Sequence, residues 1–105
     1  MSEVSRSSLL RIERIDATQV RIVGEIGFAN ASEAVRRTDE LFAGNSAVTV
    51  DIASLVRSDS ATLGVLLLWA AKAAIRRVHL RFANAPAGLK ALAHLCDAEP
   101  LLGIA

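Results

Sequence analysis

The sequence has a single cysteine, Cys96, and no tyrosine, and aromatic residues make up only 4% of its 105 positions. One thiol cannot close an intramolecular disulfide, so the chain does not read as a stapled secreted scaffold and a cytoplasmic setting is expected. Charge of one sign is also missing: 12 Lys and Arg stand against 11 Asp and Glu, a formal +1. Nucleic acids and anionic membranes select clustered excess cations, so neither is an expected partner. A long hydrophobic run is lacking too. The most apolar stretch, residues 61–75, is interrupted by Lys72, and as a helix it would reach only ~22 Å at ~1.5 Å per residue. A bilayer core is about 30 Å thick, so this helix is expected to be buried in protein, without direct membrane insertion. Residues 1–8 are polar and serine-rich with no apolar segment, so no export signal is expected.

What the chain does hold is aliphatic: 52% hydrophobic residues and a mean hydropathy of +0.39. No repeat, linker or low-complexity segment breaks it, and residues 1–105 read as one domain. Leu10-Arg11-Ile12-Glu13-Arg14-Ile15 and Val20-Arg21-Ile22-Val23-Gly24-Glu25-Ile26 alternate apolar with charged residues, the period of half-buried strands. The short polar connection between them predicts an antiparallel hairpin. Asn30 is placed to cap a helix, with Glu33 three positions on, and Ala34, Val35, Thr38, Leu41 and Phe42 recur at helical spacing until Gly44. Ala47-Val48-Thr49-Val50-Asp51-Ile52 is a more apolar strand, followed by a polar turn and the apolar helix. Val78-His79-Leu80-Arg81-Phe82 is the returning strand, and a last helix opens near Pro86 with Leu89, Leu92, Ala93 and Cys96 on one face. Leu101, Leu102 and Ile104 are left to pack as a tail. The order predicts an α/β domain: a mixed sheet of four to five strands with helices mainly on one face.

The catalytic inventory is thin. His79 alternates with Val78 and Leu80 and is expected to face away from the core, while His94 and Cys96, two apart on a helix, cannot share a face. There is no G-x-x-x-x-G-K phosphate loop and no second Cys or His cluster for zinc, so no cofactor, metal or catalytic residue is assigned. Arg76 and Arg77 complement the negative end of the apolar helix, and Trp69 reads as core, although a helix apolar all round needs cover on every side. A partner is one source of that cover.

One constellation stands out: Ser58, Asp59, Ser60, Ala61 and Thr62, at the mouth of the apolar helix. Its plain reading is a helix start, since Ser and Asp oxygens accept hydrogen bonds from the first unpaired N–H groups. Its functional reading is a contact surface, with a Ser hydroxyl at the positive end of a helix dipole that tolerates an added phosphate of about −1.5 to −2 charges. Both readings apply to the same residues.

The run Val48-Thr49-Val50-Asp51-Ile52 through Asp59-Ser60-Ala61-Thr62-Leu63-Gly64-Val65 resembles the STAS domain, shared by bacterial anti-sigma factor antagonists and the tails of sulfate transporters. In that family a strand leads into a D-S-x-G-L or D-T-x-G-L turn, whose Ser or Thr is phosphorylated or senses a partner in the antagonists. Ser60 occupies that position, and Thr62 stands where the family usually has Gly. Within the family the likeness is to MlaB-like subunits of bacterial phospholipid ABC transporters. It is carried by Leu68-Trp69, by Leu80-Arg81-Phe82-Ala83-Asn84-Ala85-Pro86, and by Leu89-Lys90-Ala91-Leu92-Ala93-His94-Leu95 followed by Leu101-Leu102.

The resemblance implies a non-catalytic subunit that docks on the transporter's ATPase subunit through Ser58, Asp59, Ser60, Ala61 and Thr62 and so sits peripherally at the inner membrane. The competing expectation is an anti-sigma factor antagonist switched at Ser60 by an anti-sigma factor kinase. Self-association of the isolated domain stays open. A nucleotide-hydrolysing enzyme, the third class, lacks both a phosphate loop and a metal-binding carboxylate cluster.

Overall fold

Two alternating segments at the start of the chain form the predicted hairpin: β1 (Leu10–Arg14) pairs antiparallel with β2 (Gln19–Gly24), with Ile12 opposite Ile22. The computed structural model describes residues 9–104; the polar segment 1–8 read above for export lies outside them. Gly24 closes β2 at φ +108, and a Cβ there would lie 2.1 Å from the Leu9 carbonyl oxygen, so only glycine fits. Two short helices follow, α1 (Ala31–Arg36) and α2 (Thr38–Phe42), then β3 (Ala47–Leu55), α3 (Ser60–Arg76), β4 (His79–Ala83), α4 (Ala87–Leu95) and α5 (Glu99–Leu102).

The sheet order is β1-β2-β3-β4, with β2, β3 and β4 mutually parallel, so the predicted mixed sheet has four strands among the described residues. Parallel neighbours need crossovers, and α1, α2 and α3 supply them. Val20 and Ile22, then Val48, Val50 and Ile52, then Phe82 turn to one face and are buried there with Leu41, Phe42, Leu66, Trp69, Leu89 and Ala93 of the helices. Arg21, Arg81 and His79 turn to the other face and are exposed. This is the one-sided helical layer that the strand alternation predicts. Trp69 is fully buried and its indole N–H donates to the Ala34 carbonyl at 2.9 Å, so α3 is bonded to α1 at the centre of the core.

Several local expectations are corrected. The helix predicted from Asn30 to Gly44 is broken at Arg37, whose guanidinium donates to the Leu10 carbonyl of β1 (3.0 Å) and pairs with Glu40 (2.9 Å). Asn30 does not cap with its side chain: its Oδ1 accepts from Gly27 N–H (3.0 Å) and its Nδ2 donates to the Glu25 carbonyl (2.9 Å), folding the preceding loop onto itself. Cys96 is exposed at the end of α4 instead of sharing its buried face. Leu101 is exposed too, while Leu102 and Ile104 pack inward as expected.

β3 runs three residues beyond the predicted Ile52, because Ser54 and Leu55 go on pairing with Val23 and Gly24 after the β2–β3 register slips between Arg21 and Val23. At that bulge Asp51 Oδ1 accepts from Ala53 N–H at 3.0 Å, and both Ala53 and Ser54 face solvent.

Candidate functional site

The start of α3 is built on a reciprocal pair. Asp59, in extended conformation, accepts from Thr62 N–H at 3.0 Å, and Thr62 Oγ1 accepts from Asp59 N–H at 3.3 Å, satisfying two backbone donors that a helix end otherwise leaves unpaired. Thr62 is fully buried and its hydroxyl donates to the Ile26 carbonyl at 2.6 Å. A residue at the third position of α3 therefore fastens the loop between β2 and α1. Arg57 fastens the same loop from outside: its guanidinium lies 3.1 Å from the Asp59 carboxylate and 3.9 Å from that of Glu25. The hydrogen bond from Thr62 N–H, reinforced by Arg57 and opposed by partial desolvation, holds the Asp59 carboxyl below its ordinary range.

The five residues predicted as a contact surface come together, in unequal roles. Ser60, the first residue of α3, is exposed, and its hydroxyl makes no hydrogen bond among the described residues. Ser58 is half-buried against α4, where a Cβ added to Gly88 would lie 3.5 Å from the Ser58 Cβ. Asp59 and Ala61 are half-buried. Thr62, with no exposed surface, acts from beneath by holding the others in place.

Beside Ser60 opens a groove of about 490 Å³ between α1 and α3, floored by Ala31, Val35, Ala61, Gly64 and Val65 and rimmed by Phe28, Ser32, Arg36 and Leu68. Phe28 is 78% exposed and Leu68 50%, and Val56, on the loop leading to Ser58, is 72% exposed. A scattered apolar residue needs no explanation, but a rimmed, contiguous apolar groove is the form that partner surfaces take. Pattern reading of the sequence missed this groove. Phe28 belongs to no periodic segment, and its only signal was being a lone aromatic in a loop. His94 and Cys96 are not brought into it: His94 Nδ1 lies 3.0 Å from Glu99 Oε1, on the far side of α4's last turn. Among the described residues no group of three or more His, Cys, Asp or Glu could hold a metal ion, and no helix is long and apolar enough to cross a membrane.

Comparison with known proteins bears on this geometry. A family model described as "Mlab, STAS domain" matches residues 11–103. No curated protein matches the chain. Among solved structures, the crystal structure of an anti-sigma factor antagonist from Mycobacterium paratuberculosis is similar at a TM-score of 0.67, covering 90% of this chain and 82% of that one. At 15% identity that likeness speaks to the fold alone. The matched region includes every residue of the turn and of the groove beside it.

Proposed function

The chain belongs to the STAS-domain family, in its Mlab group, and from that membership we propose that it is a non-catalytic accessory subunit that binds and supports the ATPase of a phospholipid ABC transporter. In this role it serves outer-membrane lipid asymmetry and is held at the inner membrane through its partner. The observation that carries the reading is the pairing of a tied scaffold with an uncovered apolar surface at one end of α3. Asp59, Thr62 and Arg57 fix the backbone, while Ala61, Phe28 and Leu68 line an apolar groove beside the exposed Ser60. A site held rigid before binding loses little conformational entropy when it docks.

The test is capture from detergent-solubilised native membranes with the tagged protein, read by mass spectrometry. The transporter's ATPase and permease are expected together. Ser60→Glu and Ser60→Arg, which bury an unpaired charge in the interface, are expected to abolish that capture while leaving the melting temperature of the isolated domain nearly unchanged. Capture that survives both substitutions assigns the docking face elsewhere.

A second reading, an anti-sigma factor antagonist switched by phosphorylation at Ser60, is favoured by one observation: the exposed, unbonded Ser60 hydroxyl at the first position of a 17-residue helix. The helix dipole favours an added phosphate there. Incubation with a candidate anti-sigma factor kinase and ATP, followed by intact mass, separates the two. One phosphate per chain on Ser60 supports the switch, and an unmodified mass leaves the transporter reading in place.

A further inference from the structure

A second cavity, of about 440 Å³, lies along the edge strand β4. Its wall carries Thr49, Arg81, Asn84 and Lys90, and it is closed at one end by Gly103 and Ile104 after α5. Thr49 and Arg81 are paired across β3 and β4, so their side chains leave the sheet together on the face away from the core. Lys90 comes from the first half of α4, two residues beyond the Gly88 that packs under Ser58.

The charge of this cavity is unbalanced. No Asp or Glu lines it. Asp51, two residues beyond Thr49 on the same strand face, is turned back on its own strand, where its carboxylate accepts from Ala53 N–H. Neither the Arg81 guanidinium nor the Lys90 ammonium has an ionic or hydrogen-bonding partner among the described residues. Arg11, Arg37, Arg57 and Arg76 by contrast each hold a carboxylate. The Thr49 hydroxyl and the Asn84 amide are likewise without a partner there. Two cations, a hydroxyl and an amide therefore line one concavity to which the fold contributes no carboxylate.

We propose that this cavity binds a phosphate-type oxyanion, held by the Arg81 guanidinium and the Lys90 ammonium with Thr49 and Asn84 donating beside them. The guanidinium fork matches two oxygens of a phosphate, and the ammonium supplies a point charge. The volume falls in the range of small-molecule sites, about 300–1,000 Å³, and accommodates a phosphate with a small organic group attached. An added peptide strand is a poorer occupant of the β4 edge: Gly103 lies against the Leu80 carbonyl and the Arg81 Cα and covers the first half of that edge. The inference is independent of the docking reading at Ser60.

The experiment is a titration of the full chain with inorganic phosphate at constant ionic strength in chloride, followed by amide and arginine Nε resonances. Shifts confined to Thr49, Arg81, Ala83 to Ala85, Lys90 and Gly103 are expected, saturating in the millimolar range or below. Arg81→Gln combined with Lys90→Gln should weaken binding at least tenfold with an unchanged circular dichroism spectrum, both side chains being exposed. Lys72→Gln combined with Arg77→Gln, removing the same charge elsewhere, should leave it unchanged. Glycerol 3-phosphate and glycerophosphoglycerol separate the sources. Tighter binding of the monoester supports a free phosphate metabolite, and tighter binding of the diester supports a lipid headgroup. Absence of localised shifts, or equal loss in both double variants, overturns the site.

Discussion

The two ends of α3 are made from different residue types and held in opposite ways. At the amino-terminal end the deciding bond is inside: Thr62, fully buried, reaches the Ile26 carbonyl and caps with Asp59, and Arg57 adds only an exposed pair to Asp59 from outside. At the carboxy-terminal end Arg77 turns the chain at φ +58, the N–H of Val78 closes on the Ala73 carbonyl at 2.8 Å, and Arg76 pairs with Asp39 in solvent. Internal bonds leave the surface above them uncommitted; external ones occupy it. The end with buried ties is the end that carries the open groove and Ser60. The groove and Ser60 stay open because the hydrogen bonds that fix this end run underneath them.

Thr62→Val should break the comparison most severely. The substitution keeps the shape but leaves the Ile26 carbonyl and the Asp59 N–H without their partner, both at the edge of the core. The expected loss is about 2 kcal/mol, from a range of about 1–3 for a buried group left unsatisfied. That is a fall in melting temperature on the order of 10 °C for a domain of this size. Amide exchange should quicken in residues 25–30, and capture of the partner should weaken with it. Thr62→Ser, which retains the hydroxyl, should recover most of the exchange protection. Equal protection in the Val and Ser variants would show that the hydroxyl does not fasten this loop.

Acid tests the same end through charge. Because the Asp59 carboxyl is held lower in the folded chain than in the unfolded one, it stabilises the fold fully above its ordinary value of 3.8. That contribution is lost as pH falls through the lower, folded value. Stability measured by urea unfolding should therefore decline between about pH 5 and pH 3. Asp59→Asn, which retains a capping oxygen without the charge, should flatten that decline while costing less at neutral pH than Thr62→Val. An unaltered pH profile in the variant would place the acid sensitivity elsewhere.

The contrast between the two ends also explains what could be read from the sequence. Strands were legible because Arg11, Glu13 and Arg21 alternate with apolar neighbours, and α3 was legible because residues 61–75 are long and apolar with an Asp just ahead of them. The turn itself was legible as a helix start and as a family motif. What was not legible rests on contacts distant in sequence. Thr62 to Ile26 spans 36 positions, and Arg37 to Leu10 spans 27. Asn30 has the right residue type for a cap and spends it on Gly27 and Glu25 because the loop must fold back. The groove beside Ser60 joins Phe28 to Leu68 only after β2, β3 and α3 are assembled, so no local window could contain it.

Arg76→Ala gives the smallest effect, and its smallness sharpens the comparison. Arg76 lies 2.6 Å from the Asp39 carboxylate and over the Phe42 ring at 5.6 Å, a geometry that on paper rivals the Asp59 pair. The Arg76 and Asp39 side chains are 42% and 88% exposed, however, and water screens the attraction while both side chains lose freedom to form it. An exposed ion pair contributes about 0–1 kcal/mol, and an exposed cation–ring contact about 0.5 kcal/mol. The combined loss should come to about 0.5–1 kcal/mol, falling further in 1 M salt, where the Debye length shrinks to about 3 Å. Partner capture should be untouched, because nothing beneath the Ser60 surface depends on this end of α3. A loss as large as that of Thr62→Val, insensitive to salt, would mean that the two ends are held alike and that the buried ties under Ser60 do not set its surface apart.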